Sequence, residues 1–122
     1  MYNNKEKAMK DFIGNFRLLD EEVKGRLVIE NDDKSYNIGE VLEIGKTLNI
    51  PVVFDNLHNE VLPYDTLKND YYWIEECGKT WKKEDGIQKI HYSQQDKNKK
   101  LGAHSNTIKI EEFIDFIQDI NN

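Results

Sequence analysis

The stretch PVVFDNLH, residues 51–58, runs from a short apolar segment directly into a carboxylate, Asp55, with an imidazole, His58, three residues later. Continuous apolar runs are typical of parallel strands that are covered on both faces. In α/β barrels, the residues that carry the chemistry lie where such strands end. The stretch therefore predicts a buried strand that presents Asp55 and His58 at its carboxyl end.

Two other segments repeat this pattern. Residues 27–29 lead into Glu30 and residues 88–90 lead into His91, and each is separated from the central segment by enough chain for a helix and its loops. Period-two alternation places Glu30 and Asp55 on the face opposite the helix layer, which is the interior of a barrel. We expect the three strand ends to converge on one rim.

Apolar spacings of three and four residues predict helices between these strands. The predicted helices cover residues 5–19, 38–48 and about 66–81, with a last one around residues 110–117. Asn37 and Glu40 make a plausible N-cap pair for the second helix. The order α-β-α-β-α-β-α is typical of a parallel sheet with right-handed crossovers, so the predicted class is α/β with three parallel strands alternating with helices.

Length and charge limit the possibilities further. The chain has 122 residues, so residues 1–122 make one domain at most, and a complete α/β barrel needs roughly 200 residues or more. The net charge of -6 shows no basic signature of nucleic-acid binding. Carboxylates gathered as metal ligands count as negative in this sum, so the charge argues only weakly against a DNA partner.

Compartment signals are simple. A single cysteine, Cys77, excludes an internal disulfide and suits a reducing compartment. We find no apolar run of membrane-spanning length and no signal-peptide pattern before the first helix. The sequence predicts a cytoplasmic protein without a membrane partner.

Several candidate functional side chains follow the strands. An inward carboxylate is costly unless it is paired or bound to metal, although each one alone is more often a helix cap or loop anchor. Oxygen and imidazole donors without a thiolate favour Mn, Zn, Fe or Mg, which activate water and polarise a phosphate or carbonyl oxygen. The candidates at or beyond strand ends are Glu30, Asp55, His58, His91 and His104.

Lys89 shares the inward face with His91 and is expected deeper in the barrel. A buried lysine loses its charge readily, so Lys89 is either paired to Glu30 or Asp55 or serves as a catalytic or modified amine. The lysines at 97, 99 and 100 belong to a solvated loop or contact phosphates.

Together these segments resemble the UV damage endonucleases of the UvsE or UvdE type. The resemblance runs in order through essentially the whole chain. It implies a (β/α)8 barrel of DNA repair that cuts double-stranded DNA 5′ to UV photoproducts with a cluster of divalent metals, Mn above all, with Zn or Mg as alternatives. The segments that carry it are RLVIENDD at 26–33, residues 51–58, Thr80-Trp81, KIHYS at 89–93 and His104-Ser105.

The resemblance also implies roles for single residues. Glu30 would be a carboxylate that bridges metals, and Asp55, His58 and His91 would be further ligands. Lys89 matches a lysine that can be carboxylated beside the metals. His104 matches a histidine near the scissile phosphate, so Lys89 and His104 are the catalytic candidates.

The same resemblance predicts an incomplete TIM barrel, its carboxy-terminal half. The family's early strands, with other ligands and the residues that probe damaged bases, would precede Met1, and its final strand would follow Asn122. The isolated chain is then expected to be inactive, and a second polypeptide could complete the sheet. The alternatives are another metal-dependent barrel, such as an endonuclease-IV-like or sugar-isomerase-like enzyme, and a non-catalytic remnant or interaction module.

Overall fold

Residues 4–121 form, in the computed structural model, a three-stranded parallel sheet with helices packed against it. Residues 1–3 and 122 of the predicted domain lie outside the described part of the chain. The elements are α1 (Lys5–Arg17), α2 (Glu21–Lys24), β1 (Ile29–Glu30), α3 (Ile38–Leu48), β2 (Val52–Asp55), α4 (Asn56–Val61), α5 (Asp70–Gly78), β3 (Ile90–His91) and α6 (Ile110–Asn121).

The sheet has the order β1-β2-β3, so the longest strand lies in the centre. Glu30 is paired with Val53, and Asp55 is paired with His91. All three predicted strands are present and parallel, which confirms the α/β class, although β1 and β3 are shorter than the sequence pattern suggested. Each of them is paired on one side only within the described sheet.

The core lies between the sheet and the helices α3, α5 and α6. Val52 and Phe54 are fully buried in it, and Ile29 and Ile90 pack against its edges. Since side chains alternate along a strand, Val53 and Asp55 lie on the other face of β2, together with their ladder partners Glu30 and His91. The alternation inferred from sequence is therefore confirmed.

Helix α3 has the predicted bounds because both of its ends are encoded locally. Asn37 Oδ1 accepts a hydrogen bond from the Glu40 amide at 3.0 Å, and Glu40 Oε1 accepts one from the Asn37 amide at 3.0 Å. At the other end, Asn49 adopts a left-handed conformation with a φ of 58°, and Pro51 follows. The predicted capping pair is confirmed.

The chain between β2 and β3 differs from expectation. The predicted helix over residues 66–81 is shorter, because the Asn69 side chain caps α5 by accepting from the Tyr72 amide at 2.9 Å. A short helix that we did not predict, α4, begins directly after β2. Asp55 starts it, since its Oδ1 accepts from the His58 amide at 2.9 Å.

The described helices also bear on a membrane role. None of those within residues 4–121 combines the length and apolarity needed to cross a bilayer.

Candidate metal centre

Three potential metal ligands meet where the strands end. Glu30, Asp55 and His91 are the last residues of β1, β2 and β3. One ligand-type atom from each lies within 4.8 Å of the other two. The parallel register accounts for this convergence, because it brings the three carboxyl ends to one edge of the sheet.

His58 joins the same group from the first turn of α4. Its Nδ1 lies 3.5 Å from Asp55 Oδ2 and 3.7 Å from Glu30 Oε2. His91 Nδ1 lies 3.0 Å from Glu30 Oε1, and its side chain remains 59% exposed. We call Glu30, Asp55, His58 and His91 the strand-tip cluster.

A backbone contact sets the tautomer of His58. Its Nδ1 is 2.8 Å from the carbonyl oxygen of Asn31. A carbonyl oxygen can only accept, so Nδ1 carries the proton, and Nε2 of the neutral ring keeps its lone pair. Metal-binding histidines commonly donate their second ring N–H to a carbonyl in this way. In this tautomer Nε2, and not the Nδ1 that faces Glu30 and Asp55, is the nitrogen that could bind a cation.

Asp55 is buried, with 6% of its surface exposed. Its Oδ1 is used as the cap of α4, while Oδ2 faces His58. Asp55 therefore keeps one carboxylate oxygen for another partner.

Negative charge is crowded in the strand-tip cluster. Burial raises the pKa of Glu30, and the neighbouring Asp55 carboxylate raises it further, against the opposing effect of His91. A divalent cation would relieve this repulsion between the two carboxylates. The donor set of carboxylate oxygens and imidazole nitrogens suits Mn, Zn or Mg, so the residues present fit a metal of this kind.

The two catalytic candidates lie outside this group of atoms. Lys89 directly precedes β3 and is exposed rather than buried as predicted, since no strand within residues 4–121 pairs with the outer edge of β3. Its ammonium nitrogen lies 5.5 Å from the centroid of the Trp81 ring. His104 is also exposed, and it pairs with Gln95 in an antiparallel bridge beyond β3.

The sequence reading missed Asn31. The strand-end pattern assigned it no role, yet Asn31 is 1% exposed and contacts both Asp55 and His58. A signal for it exists in the sequence, because asparagine directly follows the terminal carboxylate of two strands, as Glu30-Asn31 and Asp55-Asn56.

A separate cavity of about 330 Å³ lies beside Glu30, between α1, β1 and α3. Its walls are mostly apolar and include Met9, Phe12 and Tyr36. Glu30 is the one member of the strand-tip cluster that lines it, since Asp55, His58 and His91 do not.

Comparison with known proteins places these features in one family. Residues 1–121 match the model of the family described as UV-endonuclease UvdE. The chain is 43% identical over 98% of its length to a UV DNA damage endonuclease of Clostridium perfringens, covering 29% of that protein. It is 31% identical over 98% of its length to a putative UV-damage endonuclease of Acanthamoeba polyphaga mimivirus, covering 36% of it.

A solved structure agrees with the sequence matches. The crystal structure of SacUVDE superposes with a TM-score of 0.88 at 38% identity, covering 95% of this chain and 38% of that one. Its fold is TIM-barrel-like, which confirms the predicted fold class. The chain spans about a third of the length of the curated relatives it matches, with shares of 29%, 36% and 34% for three of them.

Proposed function

Because the chain belongs to the UV-endonuclease UvdE family, we propose that its strand-tip cluster is part of the metal centre of a UV damage DNA endonuclease. The substrate is UV-damaged double-stranded DNA, and the reaction is hydrolysis of the phosphodiester bond 5′ to a photoproduct. The convergence of Glu30, Asp55 and His91 at the carboxyl ends of three parallel strands is the observation that carries this proposal.

The ligand set follows from the contacts. Glu30, which faces both histidines, would bridge cations, and Asp55 and His58 would be further ligands. His91 would complete the set from β3. Manganese is the metal we propose, with Zn or Mg as alternatives. A bound divalent cation would lower the pKa of a water molecule and polarise the phosphate.

Two further residues are proposed to act on the DNA backbone. Lys89 directly precedes β3, two residues before His91, and would act beside the metal as an ammonium or a carboxylated side chain. His104 lies in the hairpin that follows β3 and would act near the scissile phosphate. The exposed side chains of Lys97, Lys99 and Lys100 lie in the same hairpin and are suited to phosphate contacts.

Activity is proposed to require further strands of the family barrel. Three strands do not close a barrel, and β1 and β3 each keep an unpaired edge within the described sheet. The chain covers only 38% of the SacUVDE chain. These strands could be joined covalently or supplied by a second polypeptide. The single buried Cys77 is consistent with work in the reducing cytoplasm.

A nicking assay tests the proposal. The 122-residue chain is incubated with UV-irradiated plasmid and Mn, alone or with a polypeptide that carries the remaining segments of the Clostridium perfringens relative. We expect no nicking by the chain alone, because it covers only 38% of the SacUVDE chain and the other metal ligands and lesion-probing groups are proposed to lie in the remaining segments. We expect lesion-dependent nicking by the combination.

The variants make the assay specific. Glu30→Gln should abolish the restored nicking, whereas Glu43→Gln, a matched change on the exposed side of α3, should not. Nicking that survives Glu30→Gln would refute the proposed role of the cluster. Lesion-specific nicking by the chain alone would show that three strands suffice.

A further inference from the structure

Two side-chain carboxamides at the strand ends each bind both hydrogen-bonding groups of one backbone residue. Asn31 Nδ2 donates to the carbonyl oxygen of Asp55 at 3.0 Å, and Asn31 Oδ1 accepts from the Asp55 amide at 2.8 Å. Asn56 Nδ2 donates to the carbonyl oxygen of Ser93 at 3.0 Å, and Asn56 Oδ1 accepts from the Ser93 amide at 2.9 Å. We call these two contacts the carboxamide pairs.

The carboxamide pairs occupy equivalent positions in the sheet. At the end of β1, Glu30 is paired with Val53 of β2. Asn31, which follows Glu30, binds through its side chain to Asp55, two residues after Val53. The last ladder partner of Asp55 is His91, and Asn56 likewise pairs with Ser93, two residues beyond His91. Each asparagine thus extends the pairing of two strands past the point where backbone pairing ends.

Only a carboxamide can make this pair of contacts. It offers one donor and one acceptor side by side, whereas a carboxylate offers acceptors alone and an aliphatic side chain neither. Asn31 is 1% exposed, so its amide would be costly to bury without partners. In addition, the backbone carbonyl oxygen of Asn31 accepts a hydrogen bond from Nδ1–H of His58. One buried residue therefore holds two members of the strand-tip cluster.

We propose that Asn31 and Asn56 are positioning residues of the strand-tip cluster. Asn31 fixes Asp55 and His58 relative to Glu30, and Asn56 fixes the end of β3, which carries His91, relative to Asp55. The functional consequence rests on the metal centre proposed above.

The need for such residues follows from the short strands. β1 and β3 contain two residues each, so few ladder bonds lie near the ligands. Ligand constellations work only when they are held within about 0.5 Å of their productive geometry. The carboxamide pairs supply contacts at the carboxyl end of the sheet, where the backbone hydrogen bonds of a short parallel ladder would otherwise break readily.

Metal affinity provides the first test. Asn31→Leu keeps a branched side chain of similar size and removes both hydrogen-bonding groups, and Asn56→Ala removes the second pair. Asn69→Ala is the control, since it removes an asparagine cap from α5 that does not contact the cluster. Calorimetric titration with Mn²⁺ should show roughly 10–100-fold weaker binding in the first two variants and no change in the control. Wild-type affinity in both variants would overturn the inference.

A second measurement works without metal. Removal of one hydrogen bond should speed amide hydrogen exchange by roughly fivefold or more, at Asp55 in Asn31→Leu and at Ser93 in Asn56→Ala. Unchanged exchange at both amides would overturn the positioning roles.

The two measurements separate this inference from the proposed function. A wild-type chain that binds no Mn²⁺ overturns the metal centre itself, whatever the exchange rates show. A wild-type chain that binds Mn²⁺, with variants of unaltered affinity and exchange, overturns only the roles of Asn31 and Asn56. If Asn31→Leu does not fold, Asn56→Ala decides the outcome, since Asn56 is only partly buried.

Discussion

At the scale of single residues, Glu30 is a partly buried carboxylate that is expected to destabilise the metal-free chain and that we propose as a metal ligand. Burial and the adjacent Asp55 carboxylate raise its pKa, and His91 offsets only part of that effect. A carboxylate whose pKa is raised by folding destabilises the folded state when it is ionised. Without a cation, Glu30 is therefore expected to cost stability.

Glu30→Gln should accordingly stabilise the metal-free chain while removing metal binding. The free energy of unfolding at neutral pH should increase by about 1 kcal/mol or less, because Glu30 is partly open to solvent and its charge is partly screened. Urea unfolding with and without Mn²⁺ measures both effects. Glu43→Gln, on the exposed side of α3, should change neither, and a loss of metal-free stability in Glu30→Gln would contradict the account.

Cys77 is the second residue with a strongly perturbed environment. It is 0% exposed in the core, and burial raises the pKa of its thiol to about 12. The ordinary value is 9.0, so the thiol remains protonated in the folded state at pH values where the unfolded chain has lost the proton. Its contribution to stability is fully present below pH 9.0 and is lost as pH rises towards about 12.

Iodoacetamide should therefore fail to alkylate Cys77 in the native protein at pH 8 and should alkylate it readily in urea. The urea concentration at the unfolding midpoint should also decrease when the pH is raised from 8 to 10. Mass spectrometry of the adduct and unfolding curves at both pH values provide the check. Rapid native alkylation would show that Cys77 is not in the core.

At the scale of elements, the contact between α3 and β2 determines how closely helix and sheet approach. A Cβ placed on Gly45 would lie 2.5 Å from Val52 Cγ2 and 2.9 Å from the Ile50 carbonyl oxygen. Gly14 in α1 has no atom within 4 Å of the same position. The two glycines form a matched pair, since both are helical and only one is packed.

Gly45→Ala should destabilise the chain by about 1–3 kcal/mol, because overpacking outweighs the gain in helix propensity. Gly14→Ala should stabilise it by up to about 1 kcal/mol, the propensity gain alone. Urea unfolding of both variants measures the difference. Equal effects at the two positions would contradict the close packing of α3 on β2.

Local signals in the sequence predicted some elements well and others poorly. The bounds of α3 were predictable because the Asn37 and Glu40 capping box and the Asn49 end are local. Helix α4 was missed because Asp55 has two roles, as the last residue of β2 and as the cap of the next helix. The short β1 and β3 were overestimated, since strand length depends on partners that local patterns do not describe.

The strand-tip cluster was predictable in part for the same reason. Strand ends and alternation brought Glu30, Asp55 and His91 to one edge, as the structure shows. The burial and contacts of Asn31 were not predictable from periodicity, because its side chain, and not its backbone, binds the amide and carbonyl groups of Asp55. The exposure of Lys89, which directly precedes β3, likewise depends on whether another strand lies beside the outer edge of β3.

At the scale of the whole molecule, three βα units keep the family geometry while their outer edges remain open. The TM-score of 0.88 to SacUVDE over 95% of the chain shows that the units are arranged as in a TIM-barrel-like fold. Apolar residues on α6, Ile110, Ile114 and Ile117, are exposed. In a closed barrel, neighbouring units cover such surfaces. The three units thus set the arrangement of the strand-tip cluster.

Mn²⁺ binding by the 122-residue chain tests the central claim most directly. Calorimetric titration should detect a site in the wild type that is weakened by more than about a hundredfold in Asp55→Asn and His58→Ala, since loss of a ligand exceeds the loss of a supporting contact. Asp55→Asn preserves the cap of α4, because asparagine caps helices as well as aspartate. Asp11→Ala on the exposed surface of α1 should bind like the wild type. Equal affinity in all four proteins, or no binding by the wild type, would contradict a metal centre at the strand ends.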